Sequence, residues 1–288
     1  MKKITRRDFL KLTAMTMLNL FLASLGGLGY SLLVEPGWLA VERVALKLPR
    51  LAPSFSGFRI LQISDIHFGG WMNRKRLQHV IQATLAEEPD LVVITGDFLI
   101  GHGWNGFLRA GLADLIEELS LLTERRTTLA VLGNHDYWTN ANAVREALAS
   151  CGILELGNDV YSLSNEGDQL HIAGVDDVQE KHHRLDIVLN KLPQTGAAIL
   201  LAHEPDFADR SAETGRFDLQ LSGHSHGGQV VLPFIGAPVL PYLGRKYPSG
   251  LYRVGRMWQY TNRGVGMASL KIRFNCRPEI TVFTLETV

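Results

Sequence analysis

The chain has 288 residues, of which 46% are hydrophobic and 20% are charged, enough for one large globular domain or two small ones. The 29 Lys and Arg residues balance the 29 Asp and Glu residues, so net charge gives no general attraction to nucleic acid, and no nucleic-acid partner is expected. The two cysteines, Cys151 and Cys276, are far apart, which excludes a disulfide framework and a Cys-x-x-Cys zinc site.

The N-terminus has the pattern of a targeting segment. A basic head precedes an uncharged stretch from Leu12 to Val34, and the head contains TRRDFLK, which closely resembles the twin-arginine export signal. The stretch is long enough to span a bilayer, and no clear A-x-A cleavage site is present. Residues 1–35 are therefore predicted to be a twin-arginine signal or a membrane anchor. The expected partner is the twin-arginine export machinery, and the expected location is the periplasm or the outer side of the cytoplasmic membrane.

Short apolar runs and helical stretches alternate along the rest of the chain. Residues 34–51 alternate well enough for an edge strand. The later apolar runs, each ending in a turn, are FRILQISD, DLVVITGD, TTLAVLGNHD, HIAGVDD, AAILLAHEPD and FDLQLSGH. Between the earlier runs, NRKRLQHVIQATLAEE, FLRAGLADLIEELSLL and NAVREALASCG show the 3.6-residue spacing of helices. This alternation predicts an α/β fold with largely buried sheets, finished by further strands from GLYRVG onward.

Polar residues cluster at the carboxyl ends of five of these runs. In chain order they are Asp65 with His67, Asp97, Asn134 with His135 and Asp136, His203, and His224 with His226. Ligand sites in open α/β sheets lie beyond the carboxyl ends of strands, so these side chains are expected to meet. Each residue alone has an ordinary explanation as a turn residue or a buried histidine, but their joint occurrence at strand ends favours one site.

The residue types in this set are those of a metal centre. Imidazole, carboxylate and amide oxygen suit Mn²⁺, Zn²⁺ or Fe, and the absence of thiolate argues against a structural zinc site. Seven candidate ligands are too many for one ion and suit two, provided that one carboxylate bridges them. A bridging ligand should come from the middle of the site, which favours Asp97.

The order of the motifs, D-x-H, G-D, G-N-H-D, a lone H and G-H-x-H, resembles the calcineurin-like metallophosphoesterases over roughly Phe58 to Gly228. The tail GGQVVLPFIGAPVLPYLGRKYPSGLYRVG, with NRGVG and RFNCRPEITVFTL, is similar to an exported bacterial branch of that family. The resemblance implies a four-layer α/β fold in one domain, residues 36–288. In it, a central β-sandwich of two mixed sheets is flanked by helices.

The resemblance also implies roles for the site residues. One metal would be held by Asp65, His67 and His226, and the other by Asn134, His203 and His224, with Asp97 bridging. His135 matches the family's catalytic histidine and Asp136 the carboxylate that orients it. The implied reaction is phosphoester hydrolysis by a hydroxide held between two divalent metal ions.

Alternatives for the substrate remain open at this stage. GDFLIGHG lacks the arginine that follows the G-D motif in related protein phosphatases, which favours a phosphodiester or a pyrophosphate over a monoester. Arg109 or Arg263 could still reach the site. The apolar segment VVLPFIGAPVLPYL could accept a lipid precursor, as in pyrophosphatases that cleave UDP-diacylglucosamine, or could be a packed surface loop. A non-catalytic scaffold and a nuclease are the remaining hypotheses.

Three further sets of polar residues each have a functional and a structural interpretation. His102 is either a substrate contact or an exposed loop residue, and His182-His183 suit a helix start. Asp176-Asp177 end a strand, where they would support a metal-binding histidine or cap a turn.

Overall fold

Two β-sheets occupy the centre of the protein in the computed structural model, which describes residues 5–101, 106–268 and 270–288, without the side chains of 106–110. Its strands are β1 (Ala40–Lys47), β2 (Arg59–Ile63), β3 (Leu91–Thr95), β4 (Thr128–Val131), β5 (Leu154–Glu155), β6 (Asp159–Asn165), β7 (Asp168–Gly174), β8 (Ala197–Leu201), β9 (Leu219–Ser222), β10 (Gly250–Val254), β11 (Met257–Thr261) and β12 (Glu279–Glu286). Its helices are α1 (Arg6–Gly29), α2 (Arg74–Ala86), α3 (Gly106–Thr123), α4 (Asn134–Thr139), α5 (Ala141–Ser150), α6 (Leu185–Lys191) and α7 (Ala208–Glu213).

Both sheets are mixed and contain six strands each. The first has the order β1-β12-β2-β3-β4-β5, and the second has the order β10-β11-β9-β8-β7-β6. In the first sheet β12 is parallel to β1 and antiparallel to β2, whereas β2, β3, β4 and β5 are mutually parallel. In the second sheet β7, β8, β9 and β11 are parallel, with antiparallel partners at both edges. The predicted central strands and the two mixed sheets are therefore confirmed.

Alternation along the central strands produces the layers. In β3, Leu91 and Val93 face the second sheet, whereas Val92 and Ile94 pack with the helices α2, α3 and α5. In β8, Ile199 faces the first sheet and Leu200 packs with α6 and α7. Because each central strand is apolar on both faces, three hydrophobic layers form between helices, sheet, sheet and helices.

The end of α1 is joined to the domain by buried contacts. α1 and the helical turns that follow it, Arg6–Gly37, are the one helix in the described residues that is long and apolar enough to cross a membrane by length and composition. After α1, the Ser31 carbonyl accepts from Arg273 N at 3.1 Å. The buried Glu35 carboxylate accepts from Asn275 N at 2.9 Å and Cys276 N at 2.5 Å. The residues between this helix and β1 are therefore hydrogen-bonded to the segment around Arg273 and Cys276.

Candidate metal centre

The carboxyl ends of five parallel strands meet at one end of the sandwich. Asp65 and His67 follow β2, Asp97 follows β3, Asn134 begins α4 after β4, His203 follows β8, and His224 and His226 follow β9. All seven side chains are buried. The structure thus brings together the seven residues singled out from the sequence as metal ligands.

One group of ligand atoms contains Asp65, His67 and His226. These atoms all lie within 4.8 Å of one another. Nε2 of His67 and Nε2 of His226 are 2.9 Å apart, and Nε2 of His226 is 3.3 Å from Oδ1 of Asp65. Ligands bound about 2.1 Å from one ion, at angles of roughly 90–109°, lie about 3.0–3.4 Å apart. These separations are therefore those of neighbouring ligands around one cation.

The second group contains Asn134, His203 and His224. Asn134 Oδ1 is 3.0 Å from His224 Nδ1, and the rings of His203 and His224 are 5.0 Å apart between centroids. Asp97 Oδ2 lies between the two groups, 3.3 Å from His203 Nε2 and 3.6 Å from His67 Nε2. Asp97 is therefore placed where a carboxylate shared by both groups must be.

Backbone carbonyl groups fix the two histidine rings of the second group. His203 Nδ1 donates to the Thr95 carbonyl at 2.6 Å, and His224 Nε2 donates to the Tyr242 carbonyl at 2.7 Å. In the neutral rings that bind metal, the remaining lone pairs would be on His203 Nε2 and His224 Nδ1, the atoms that face Asp97 and Asn134. Lone pairs that face one another in a buried site are stabilised by a cation between them, so the donor set fits a metal.

The pKa shifts of the candidate ligands are also those expected of a site that binds cations. Burial, with the nearby charge of Asp97, raises the pKa of Asp65 to about 6. Burial lowers the pKa of His67 to about 3, and burial with the nearby His67 lowers that of His226 well below its usual value. These imidazoles are therefore neutral at pH 7, the form that binds metal. The pKa of His203 shifts the other way: burial lowers it, but the neighbouring carboxylates, chiefly Asp97, together outweigh burial and hold it well above its usual value. The carboxylates of this site therefore carry negative charge that a cation would neutralise in place of a proton on His203.

Five of these residues have left-handed backbone conformations. The φ angle is 51° at Asp65, 48° at His67, 58° at Asp97, 67° at His224 and 52° at His226. Such conformations are uncommon outside glycine, although Asp and His adopt them more readily than most residues, and they cluster at functional sites. Each reverses the chain sharply at a strand end. No sequence pattern indicated these backbone conformations.

Two glycines let neighbouring loops approach the ligands. A Cβ on Gly133 would collide with Asp97 Oδ1, and a Cβ on Gly223 would collide with Asp65 Oδ2. The G of each G-N-H and G-H-x-H motif is therefore needed because a carboxylate occupies the space of its missing side chain.

His135 lies beside the first group. Its ring packs edge-on against His67 and tilted against Trp138, each with 4.6 Å between centroids. Its Nδ1 donates to the Ile100 carbonyl at 2.5 Å, and its backbone N–H donates to Asp97 Oδ1 at 2.9 Å. The carbonyl fixes the neutral tautomer with its lone pair on Nε2.

Asp136 binds backbone groups through its carboxylate, whereas the resemblance implies that it orients His135. Its carboxylate makes no hydrogen bond to the His135 ring within the described residues and instead accepts four backbone N–H groups at 2.9–3.1 Å. The donors are Asp97, Phe98, Leu99 and Gly133. Asp136 therefore ties the loop after β3 to the start of α4, and the Ile100 carbonyl orients His135.

A cavity of about 420 Å³ opens over this cluster. Asp97, Asn134, His135, His224 and His226 contribute its polar floor. The segment VVLPFIGAPVLPYL, one of the substrate contacts considered from the sequence, contributes Val230, Val239, Leu240, Pro241 and Tyr242 to its walls. The rest of the walls were not predicted and are formed by Trp138, Gln179, Ser225, Gly228, Gln229, Ala268 and Leu270. Among the described residues that line it there is neither a lysine nor an arginine. Trp138 was signalled only by its position three residues after His135 on α4, where side chains share a face.

The remaining candidates from the sequence lie elsewhere or outside the described residues. His102 and the side chain of Arg109 are among the parts that the structure does not describe. Arg263 forms ion pairs with Glu42, at 2.6 Å, and with Glu279, so its guanidinium is already engaged by two carboxylates.

The polar pairs Asp176-Asp177 and His182-His183, which follow β7, make their contacts outside the candidate metal centre. Asp176 accepts from Tyr137 Oη at 2.7 Å and from Arg145 at 2.9 Å. Asp177 accepts from the backbone N–H of Glu180, as a turn residue does. His182 stacks on the Tyr137 ring, with 4.4 Å between centroids, and His183 accepts from Arg210 at 2.9 Å. Neither aspartate contacts a candidate metal-binding histidine by a hydrogen bond within the described residues.

Comparison with known proteins gives a consistent family. The model of the calcineurin-like phosphoesterases matches residues 58–228. The uncharacterized metallophosphoesterase YkuE of Bacillus subtilis (strain 168) is 35% identical over 290 residues, covering 100% of this chain and 99% of that protein. Phosphodiesterase YaeI of Escherichia coli (strain K12) is 31% identical over 286 residues, covering 98% and 99%. A transmembrane protein with metallophosphoesterase domain from Danio rerio is 31% identical over 259 residues, covering 85% of this chain and 57% of that protein.

Proposed function

Because the chain belongs to the calcineurin-like phosphoesterase family, we propose that it is a binuclear metal-dependent phosphodiesterase exported to the cell envelope. The observation that carries the proposal is the pair of ligand groups on either side of Asp97, at the floor of a cavity whose described lining holds neither lysine nor arginine. Each group supplies three ligands in addition to the shared carboxylate.

The described side chains have different roles in this proposal. Asp65, His67 and His226 would hold one divalent ion, and Asn134, His203 and His224 would hold the other, with Asp97 between them. Two Mn²⁺, Zn²⁺ or Fe ions in such a site lower the pKa of a bound water and neutralise charge on the phosphoryl oxygens.

His135 is suited to move a proton at its Nε2 atom. The Ile100 carbonyl holds the proton of Nδ1, so a second proton is carried on Nε2. From the cavity wall, protonated His135 can stabilise charge on the phosphoryl group and then protonate the leaving-group oxygen. Asp136 keeps the loop of Asp97 in place for this geometry without itself transferring a proton.

The charge of the cavity lining favours a diester. A phosphomonoester dianion benefits from a guanidinium or ammonium clamp, whereas a diester carries only one negative charge. The described lining offers neither clamp, and Arg263 is held by Glu42 and Glu279. YaeI, which is similar over the whole chain, is named a phosphodiesterase. The apolar walls would also accept a pyrophosphate that joins a lipid to a polar group, which is the alternative tested below.

The N-terminus supports the proposed location. TRRDFLK precedes a helix that is long and apolar enough to cross a membrane, and one similar protein is named a transmembrane protein. We assign α1 to export by the twin-arginine machinery and to retention as an anchor. The folded domain would then lie on the outer side of the cytoplasmic membrane.

The full chain, purified in detergent and loaded with Mn²⁺ or Zn²⁺, tests the activity. We compare kcat/KM on an aryl phosphodiester, the matching aryl phosphomonoester and a pyrophosphate diester, and count bound metal by mass spectrometry. The expected result is fastest metal-dependent cleavage of the diester and loss of activity and bound metal in Asp97→Ala. Preference for the monoester or the pyrophosphate would contradict the substrate assignment. A metal-loaded chain inactive on all three would favour the scaffold hypothesis.

A further inference from the structure

The end of α1 contacts a chain segment, residues 270–276, that also forms part of the cavity wall. Arg273, whose N–H binds the Ser31 carbonyl, lies three residues after Leu270, which lines the cavity. Three extended residues span at most about 10 Å. Glu35 accepts hydrogen bonds from Asn275 N and Cys276 N, so the end of the helix is held to the same segment that continues to the cavity wall.

The apolar loop, residues 230–243, begins with hydrogen bonds to the same segment, residues 270–276. The Gln229 amide donates to the carbonyls of Leu270, at 2.6 Å, and Ile272, at 2.9 Å. Val231 N donates to the Phe274 carbonyl at 2.8 Å. The start of the loop is therefore held to the segment that also contacts the end of α1.

The tip of this loop presents apolar side chains to the outside. Leu232 and Gly236 exchange two backbone hydrogen bonds of 2.9 Å, and the turn between them carries Phe234, which is fully exposed, and Ile235, which is 73% exposed. Val239, Tyr242 and Leu270 continue the exposed apolar surface toward the cavity. A cluster of this size and composition is typical of an interaction surface rather than of a face turned to water.

Aromatic and basic residues surround the end of α1. Trp38 directly follows the helical turns that extend α1 to Gly37, is half exposed and has the Arg277 guanidinium 4.2 Å from its ring centroid. Arg76 lies in the same way over Trp71, at 4.2 Å. Arg76, Lys75 and Trp71 line a second cavity, of about 370 Å³, whose wall includes Pro36 and Gly37 from the end of the helix. Tryptophan with arginine or lysine is the composition found at the boundary between lipid and water.

From these contacts we infer that this face of the domain, from Trp38 and Arg76 to the tip at Phe234 and Ile235, rests on the lipid bilayer that holds α1. The tip enters the headgroup region, and the mouth of the cavity beside Leu270 opens toward the membrane. The occupant is a membrane rather than a protein partner because a helix long and apolar enough to span a bilayer is joined to this face through the hydrogen bonds of Glu35.

This orientation specifies the substrate class of the proposed phosphodiesterase, and that part rests on the proposed function. The diester would be a membrane lipid whose phosphoryl group reaches the floor at Asp97. Its apolar part would lie along Val230, Val239 and Leu240 toward the bilayer. The acyl chains need not leave the membrane completely for the phosphoryl group to reach the floor.

Contact with the bilayer is measured without any activity. The full chain is reconstituted in vesicles of phosphatidylethanolamine and phosphatidylglycerol that include a phospholipid with a nitroxide on its headgroup. Ile235→Cys and, as a matched control, Leu154→Cys carry a fluorescent label. Leu154 is 47% exposed on β5, at the edge of the first sheet opposite β1. The natural thiols, Cys151 and Cys276, are buried, and unsubstituted protein measures their labelling.

The expected result is strong quenching of the label at position 235 and little at 154. Equal quenching at both positions, or none at 235, would overturn the proposed orientation. Because this readout requires no turnover, it stands even if the chain cleaves no phosphodiester.

Activity then tests the substrate class. Phe234→Ser combined with Ile235→Ser should lower turnover of a lipid diester in vesicles by roughly tenfold or more, since two apolar side chains lose their burial in lipid. Turnover of a soluble aryl diester should be unchanged, and Leu154→Ser should affect neither. A loss on both substrates, or on neither, would overturn the role of the tip in reaching a lipid substrate.

Discussion

Replacing Asp136 by asparagine separates its observed contacts from the orienting role that the family resemblance implies. The carboxylate accepts four buried backbone N–H groups, two on each oxygen. An asparagine amide keeps one oxygen and turns an NH₂ group toward the other two donors. Each buried donor left without an acceptor costs about 1–3 kcal/mol, so Asp136→Asn should lower the free energy of unfolding by about 2–6 kcal/mol.

The assay is urea unfolding of the full chain in detergent after metal removal by EDTA, so that loss of metal does not enter the difference. Asp168→Asn is the matched control. Its carboxylate accepts a hydrogen bond from the Ser54 hydroxyl at 2.9 Å, a partner that can reorient toward an amide. We expect a change below about 1 kcal/mol there, the usual worth of one neutral hydrogen bond.

The pattern that would refute this reasoning is specific. If Asp136→Asn unfolded like the unsubstituted protein while kcat fell, the four backbone contacts would be of little energetic importance. The side chain would then act through His135, as the resemblance implies. Loss of stability together with weaker metal binding would agree with a carboxylate that holds the loop of Asp97.

Three further outcomes are expected, two from the geometry of the site and one from the twin-arginine motif. His135→Ala should retain bound metal, measured by mass spectrometry, and lower kcat by about 10²–10⁴, the usual worth of general acid–base catalysis; full activity would contradict its role. Gly133→Ala should fold, by circular dichroism, but bind metal more weakly in titrations because its Cβ meets Asp97 Oδ1; unchanged affinity would show that the loop has room. Arg6→Lys with Arg7→Lys should leave the chain in the cytoplasmic fraction of cells, whereas normal fractionation would argue against twin-arginine export.

The sequence by itself predicted the family, the two-sheet fold and the set of residues that meets at one end of the sandwich. The apolar runs that form β2, β3, β4, β8 and β9 each end in polar side chains, and parallel strands bring those ends to one edge. The pattern was therefore local, since every ligand is at most a few residues from the end of its own strand. The place of β12 between β1 and β2 had no such local signal.

Only the tertiary structure decided which atoms these residues contact. Asp136 is adjacent to His135 in sequence, yet its carboxylate binds the loop after β3, and a carbonyl from that loop holds the histidine. The segment VVLPFIGAPVLPYL could equally have been packed inside, but in the structure Gln229, just before it, binds the carbonyls of Leu270 and Ile272, and Phe234 is exposed. Side-chain partners are set by loops that approach from distant parts of the chain. The local alternation that specifies strands and helices carries no information about that approach.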